Sequence, residues 1–189
     1  MSWQNNRRNN LKKLIYAGIL AALSFVLMRF TEFPLFPPPY NFLTTDLGDI
    51  PMLVGAIQLG PFYAIAIALT KNLLFLASGG SQGQVIGVFV NFIAVGTFGL
   101  VTGFITIRKK NLLTIITGLV LGFITMSLIM IPTNLWAVPL FLPGITKSQL
   151  YSYIIKVNFP FNLIKGAIDT VITTVTISAL KGRKIFQNL

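Results

Sequence analysis

NFPFNLIKGAID, residues 158–169, places Asn158, Asn162, Lys165 and Asp169 at spacings of four, three and four inside an apolar segment. At about 100° per residue these four side chains fall within roughly 60° of one another, so an α-helix carries them as a single polar stripe. Charged groups at the centre of a membrane helix cost about 2.5–3.5 kcal/mol each, and inside such helices they face a bundle interior or a ligand pathway. The stripe therefore predicts a membrane-spanning last helix whose inner face is a binding site.

The rest of the chain agrees with a membrane solvent. Of its 189 residues, 54% are hydrophobic and 10% charged, and the mean hydropathy is +0.77; a soluble domain carries far more charge. The length suits one compact bundle, so residues 1–189 are read as a single all-α domain. The net charge of +11 is concentrated at three places. Arg7, Arg8, Lys12 and Lys13 precede the first apolar run, Arg108, Lys109 and Lys110 interrupt the middle, and Lys181, Arg183 and Lys184 close the chain. Clusters that border apolar runs act as topology signals and anionic-lipid contacts rather than as a nucleic-acid surface.

The chain has no cysteine and no histidine. Disulfides, thiolate or imidazole metal sites and His-based nucleophilic catalysis are excluded. The remaining carboxylates are Glu32, Asp46, Asp49 and Asp169, a set suited to recognition and not to an enzyme. Asp46 and Asp49 make at most a weak cation site, and Asp49 reads as the N-cap of a helix.

Outward from the stripe, breaks divide the chain into six spans. Leu11 to Phe30 is the first, too long and lacking the small-residue end of a cleaved signal peptide. Thr31 to Gly48 contains Pro34, Pro37, Pro38 and Pro39 and cannot be helical throughout; its aromatic content favours an ordered lid. Asp49 to Gln58 and Phe62 to Ala77 form a short helix pair around Gly60-Pro61, and SGGSQG, residues 78–83, is a loop. Val85 to Ile107 and Leu112 to Pro132 are two further spans; Thr133 to Gln149, with Pro139, Pro143 and Gly144, is an irregular connection. Tyr151 to Leu180 is the last helix. Thirty helical residues rise about 45 Å, more than a bilayer core, so Pro160 marks a kink or the point of entry.

Six spans put both termini on one side together with all three basic clusters, and the positive-inside rule makes that side cytoplasmic. The lid, the 78–83 loop and the 133–149 connection then lie outside. With entry at Pro160, Lys165 sits about 8 Å and Asp169 about 14 Å inside the outer boundary. The stripe opens outward under the lid, a geometry for capturing a small solute.

Blander roles compete at individual positions. Asn158 can cap a helix, Asn162 can bond a neighbouring helix, and Lys165 and Asp169, at i and i+4, can neutralise each other. Asn91 and Asn134 can face the same cavity. Lys71 and Asn72 lie near the outer end of the third helix, where a lysine snorkels. Arg29 and Glu32 read as an interfacial pair, and Phe159 and Phe161 are the phenylalanines best placed for the site. Ala17 with Ala21, and Gly18 with Ala22, are small-residue pairs that permit close helix approach within the bundle or from a partner.

DLGDIPMLVGAIQLGP (46–61), TKNLLFL (70–76), NFIAVGTF (91–98) and PFNLIKG (160–166) resemble segments of riboflavin-specific S-components, the substrate-binding subunits of energy-coupling factor (ECF) transporters. The resemblance covers nearly all of the chain, including the long first outer loop. It implies a high-affinity riboflavin-binding, multi-pass subunit of an ATP-dependent vitamin importer in a bacterial cell membrane. Its implied partners are a transmembrane coupling subunit and two ABC-type ATPases, with riboflavin as transported ligand and no cofactor of its own; the chain contains no G-x-x-x-x-G-K-[ST] phosphate loop. By the same resemblance Asn162 and Lys165 hold the ligand, joined by Asn134, Asn91 and the lid residues Asn41, Leu43 and Thr45, and Ala17 and Ala21 meet the coupling subunit; the stripe adds Asn158 and Asp169 to the expected site, and the small-residue spacing adds Gly18 and Ala22 to the expected interface. A flavin suits such a site, since its flat ring can be sandwiched by apolar side chains while its carbonyls and ribityl hydroxyls are met by Asn and Lys. A solitary secondary transporter, relying on Asp169, and a membrane enzyme are the competing readings.

Overall fold

Asp49 to Ile57 are buried on every face, and this short helix is the rod around which the others pack. The computed structural model describes residues 2–80 and 84–180; the second half of the SGGSQG loop, residues 81–83, and the basic residues Lys181, Arg183 and Lys184 lie outside them. In chain order the helices are α1 (Ser2–Phe30), α2 (Asp49–Leu59), α3 (Pro61–Ala77), α4 (Gln84–Thr106), α5 (Leu112–Phe141), α6 (Lys147–Tyr153), a π-helical turn (Ile154–Asn158) and α7 (Phe159–Leu180). Four of these stretches are long and apolar enough to cross a membrane: α1, α4, α5 and the continuous rod from α6 through α7.

The helix pair expected from Asp49 to Ala77 is present, but neither member is a full span. α2 has 11 residues and α3 has 17, about 16 and 26 Å of rise. α2 is short because the lid delivers the chain deep into the bundle: Asp49, its first residue, lies 2.8 Å from Lys165 of α7. From there 11 residues reach the opposite end, where Gly60 turns with φ 105° and Pro61 starts α3. A helix apolar all round is a core element, and α2 touches α1, α3, α4 and α7. Asp49 is not its cap; Gly48 occupies that position and makes no side-chain hydrogen bond, leaving the Asp49 carboxylate for the lysines.

The α2–α3 turn is locked by α4. A Cβ on Gly103 would sit 2.6 Å from Pro61 Cα and 2.7 Å from its nitrogen, and backbone atoms cannot swing aside. Gly103→Ala is therefore expected to cost about 1–3 kcal/mol, visible as a lower melting temperature in detergent. Gly18→Ala, where nothing lies within 4 Å, serves as the control and should match or exceed the parent. The same end holds the middle basic cluster: Lys110 Nζ donates to Gln58 O at 3.0 Å. Partial burial, and then the charge of Lys13, hold the Lys110 ammonium below the usual lysine range.

α5 differs from the sequence expectation. It continues through Thr133 to Phe141 with Pro132 and Pro139 inside it, so the irregular connection shrinks to residues 142–146. Proline is tolerated inside membrane helices, where neighbouring groups and local adjustments accommodate the lost hydrogen bond; just after Pro132, Asn134 Nδ2 donates to Met130 O and Thr133 Oγ1 to Ile129 O, both at 2.8 Å, so both polar side chains are tied to their own helix. At Pro160 the expected irregularity takes the form of a π turn. Phe159 N–H reaches back to Ile154 O, five residues instead of four, where the proline next in sequence has no N–H to give.

The Pro-rich segment is ordered over the bundle's open end. Phe33–Pro34 pairs antiparallel with Thr44–Thr45, a two-residue ladder in an otherwise helical protein. Thr31 Oγ1 accepts from Leu47 N–H at 2.9 Å and closes the loop base. Three aromatic contacts dock the lid on the last helical rod: Phe36 edge-on to Phe161 at 6.1 Å, and Tyr40 and Phe42 against Tyr153 at 6.2 and 6.4 Å.

Candidate functional site

Beneath the lid lies a cavity of about 460 Å³, within the range of small-molecule sites. Its wall draws on the ends of five helices: Met28 of α1, Phe75 of α3, Val88, Val90, Asn91 and Ala94 of α4, Met130, Asn134, Val138 and Phe141 of α5, and Phe161, Asn162 and Lys165 of α7. Tyr153 and Asn158 join from the α6–π rod, and Glu32, Phe42, Leu43, Thr44 and Asp46 from the lid and its base. The lining is mostly apolar and aromatic, with a few amides and charges at fixed points.

Three residues of the sequence stripe, Asn158, Asn162 and Lys165, share this wall and are almost fully buried. Asn162 Nδ2 donates to Asn158 O at 2.8 Å and lies 3.2 Å from Asn158 Oδ1, so the two amides form one polar unit on the π turn. Asn134 and Asn91 face the same cavity from α5 and α4, and Leu43 closes it from the lid. Three predicted residues do not line it. Asp169 is fully buried one turn deeper, with neither carboxylate oxygen hydrogen-bonded among the described residues. Thr45, in the second strand of the lid ladder, is buried, and Asn41 borders a second, shallower hollow of about 340 Å³ together with Glu32, Phe33, Pro34, Phe42 and Thr44.

Lys165 is not neutralised by Asp169. Its Nζ lies 2.8 Å from Asp49 Oδ2 and 3.8 Å from Asp46 Oδ2. Asp49 Oδ1 accepts from Lys71 Nζ, so Lys71, fully buried, is a core partner and does not snorkel. Two lysines and two aspartates thus form a closed, charge-balanced network at the cavity floor. It also removes Asp46 and Asp49 from consideration as a cation site: Asp46 Oδ1 takes Gly48 N–H at 2.7 Å, and the other three oxygens face ammonium groups. Glu32, expected beside Arg29, instead accepts from Thr44 Oγ1 at 2.8 Å across the lid hairpin; Arg29 is exposed.

Sequence reasoning missed Glu32, Asp46 and Tyr153 as cavity residues. Each reaches the wall through the lid or the π turn, and no helical periodicity links them to the stripe. Phe161 was legible from its place beside Asn162; Phe159 does not line the cavity. The small-residue stripe of α1 divides: Ala17 and Ala21 are buried in the core with α2 and α3 residues, which leaves Gly18 and Ala22 on the free face among exposed Leu14, Ile15, Ile19 and Leu23.

Among the described residues nothing in the cavity is arranged as a nucleophile and base; their side chains offer hydrogen bonds, apolar faces and one ammonium group. Residues 12–177 match the family described as ECF transporter, substrate-specific component. The riboflavin transporter RibU of Streptococcus thermophilus is 36% identical over 188 residues, covering 95% of this chain and 87% of that protein. The riboflavin transporter FmnP of Bacillus subtilis is 31% identical over 180 residues, covering 90% and 93%. A solved structure of the S component of a bacterial ECF transporter superposes with a TM-score of 0.76 at 32% identity, covering 92% of this chain and 97% of that one.

Proposed function

Because this chain belongs to the family of ECF transporter substrate-specific components, we propose that it is the membrane subunit that captures riboflavin from outside the cell for an ATP-driven importer. It is a transport protein and not an enzyme, as its relatives are. The observation that carries the riboflavin reading is the lidded cavity of about 460 Å³, apolar along its walls and polar at Asn91, Asn134, Asn158, Asn162 and Lys165. A flat tricyclic ring fits between Met, Val and Phe side chains, and amides that both donate and accept match its carbonyls and ring nitrogens.

In this reading all six helical stretches traverse the bilayer, α2 with the help of the lid segment that descends to Asp49, and both termini lie in the cytoplasm beside the basic clusters. The lid faces outward in the bacterial plasma membrane. A transmembrane coupling subunit and two ABC-type ATPases supply the energy, since the chain has no phosphate loop, and the free face of α1 around Gly18 and Ala22 is open to the coupling subunit. No cofactor is needed for capture. Titration of the detergent-purified protein with riboflavin tests the reading: flavin fluorescence should be quenched stoichiometrically at nanomolar ligand. Fluorescence that stays that of free riboflavin at micromolar protein would overturn it.

A further inference from the structure

We propose that Glu32 is a specificity residue that discriminates against a phosphorylated ligand by placing an uncompensated negative charge at the cavity mouth; this rests on the riboflavin reading above. The network on the floor is neutral within itself, because Lys71 and Lys165 are each matched by the carboxylates of Asp49 and Asp46. Asp169, deeper still, contributes either nothing or further negative charge. Among the described residues, Glu32 is the one charged residue on the cavity wall beyond that network.

Glu32 also lines the outer hollow, where its companions Phe33, Pro34, Asn41, Phe42 and Thr44 carry no charge. The carboxylate therefore stands where the cavity meets the outside, and the Thr44 hydroxyl holds it there at 2.8 Å. The basic residues Arg29, Lys147 and Lys156 are exposed and line neither hollow. In this proposal the flavin ring lies against Asn162 and Lys165 on the floor and the ribityl tail runs toward this mouth. Riboflavin ends there in a neutral hydroxyl, which a carboxylate accepts as a hydrogen bond. Its 5′-phosphate ends in a group of about −1.5 to −2 charges at pH 7, which meets like charge in a partly enclosed space where water screens poorly.

The test is a matched titration of riboflavin and riboflavin 5′-phosphate against the parent, Glu32→Gln and Glu32→Lys. The parent should prefer riboflavin by on the order of tenfold or more. Glu32→Gln should shrink that ratio several-fold, mainly through tighter binding of the phosphate ester, and Glu32→Lys should shrink it further or reverse it. A purely structural effect of the substitutions would weaken both ligands together and leave the ratio in place. If riboflavin binds but the ratio is the same in all three proteins, Glu32 is not the discriminating group and the riboflavin reading stands. If neither flavin binds the parent, the riboflavin reading falls and this assignment with it.

Discussion

Asp49→Ala is expected to cost about 3–5 kcal/mol of stability, the range for breaking a buried ion pair by removing one partner. Asp49 is fully buried at the first position of α2 and accepts from two ammonium groups, Lys71 on α3 and Lys165 on α7. Without it both lysines stay inside the bundle, and the ion-pair contact left to them among the described residues is Asp46, 3.8 Å from Lys165, with the unbonded Asp169 carboxyl nearby but outside ion-pair distance. The loss is a large share of the 5–15 kcal/mol that usually separates folded from unfolded chains. A drop of about 10 °C or more in the melting temperature, or loss of the monodisperse peak in size-exclusion chromatography, is the expected result. Adding Lys71→Met to Asp49→Ala should recover part of the loss, since it removes the more deeply buried unpaired cation. A single Asp49→Ala protein that melts with the parent would mean that the network contributes nothing to folding.

Lys165→Ala is expected to weaken riboflavin binding by tens-fold or more, the consequence of losing a charge-assisted hydrogen bond of about 1.5–3 kcal/mol. An ammonium group has three donors. Asp49 takes one at 2.8 Å, Asp46 is at the edge of ion-pair range, and the remaining capacity faces the cavity that Lys165 lines. The substitution also leaves Asp46 without its cation, adding negative charge where an electron-rich flavin carbonyl would sit. Lys156→Ala, at an exposed site on the same rod, should bind as the parent does. Fluorescence titration of monodisperse protein decides the matter, and unchanged affinity in Lys165→Ala would take Lys165 out of the site.

Both predictions turn on a partnership that local spacing misreports. Lys165 and Asp169 are four residues apart on one helical face, which suggests mutual neutralisation. Side chains on an α-helix lean toward its N-terminus, so Lys165 extends toward Asn162 and the lid, away from Asp169, and a lysine placed N-terminal to its acid is the poorer orientation of an i,i+4 pair. Lys71 shows the same limit. From sequence it lay near enough to a helix end to snorkel, but the α2–α3 hairpin folds it against Asp49, 22 residues earlier.

Helix content followed from composition and breaks: every segment expected to be helical is helical, and the Gly60-Pro61 turn falls where it was read. Element ends were less legible. Pro132 and Pro139 stop a helix in water, but a membrane bundle tolerates proline inside a helix, and α5 runs on to Phe141. The length of α2 was legible as a number without its reason, because only the descent of the lid to the level of Lys165 makes 11 residues enough.

Sequence by itself determined the membrane class, the helical segments and the polar face formed by Asn158, Asn162 and Lys165, because these depend on hydropathy and on a fixed 3.6-residue period. Tertiary structure alone decided which acid balances Lys165, that Glu32 stands at the cavity mouth, and that Ala17 and Ala21 turn inward. Those outcomes depend on a non-helical lid and on the rotation of one helix against another, and neither the lid's path nor that rotation is encoded in any local periodicity.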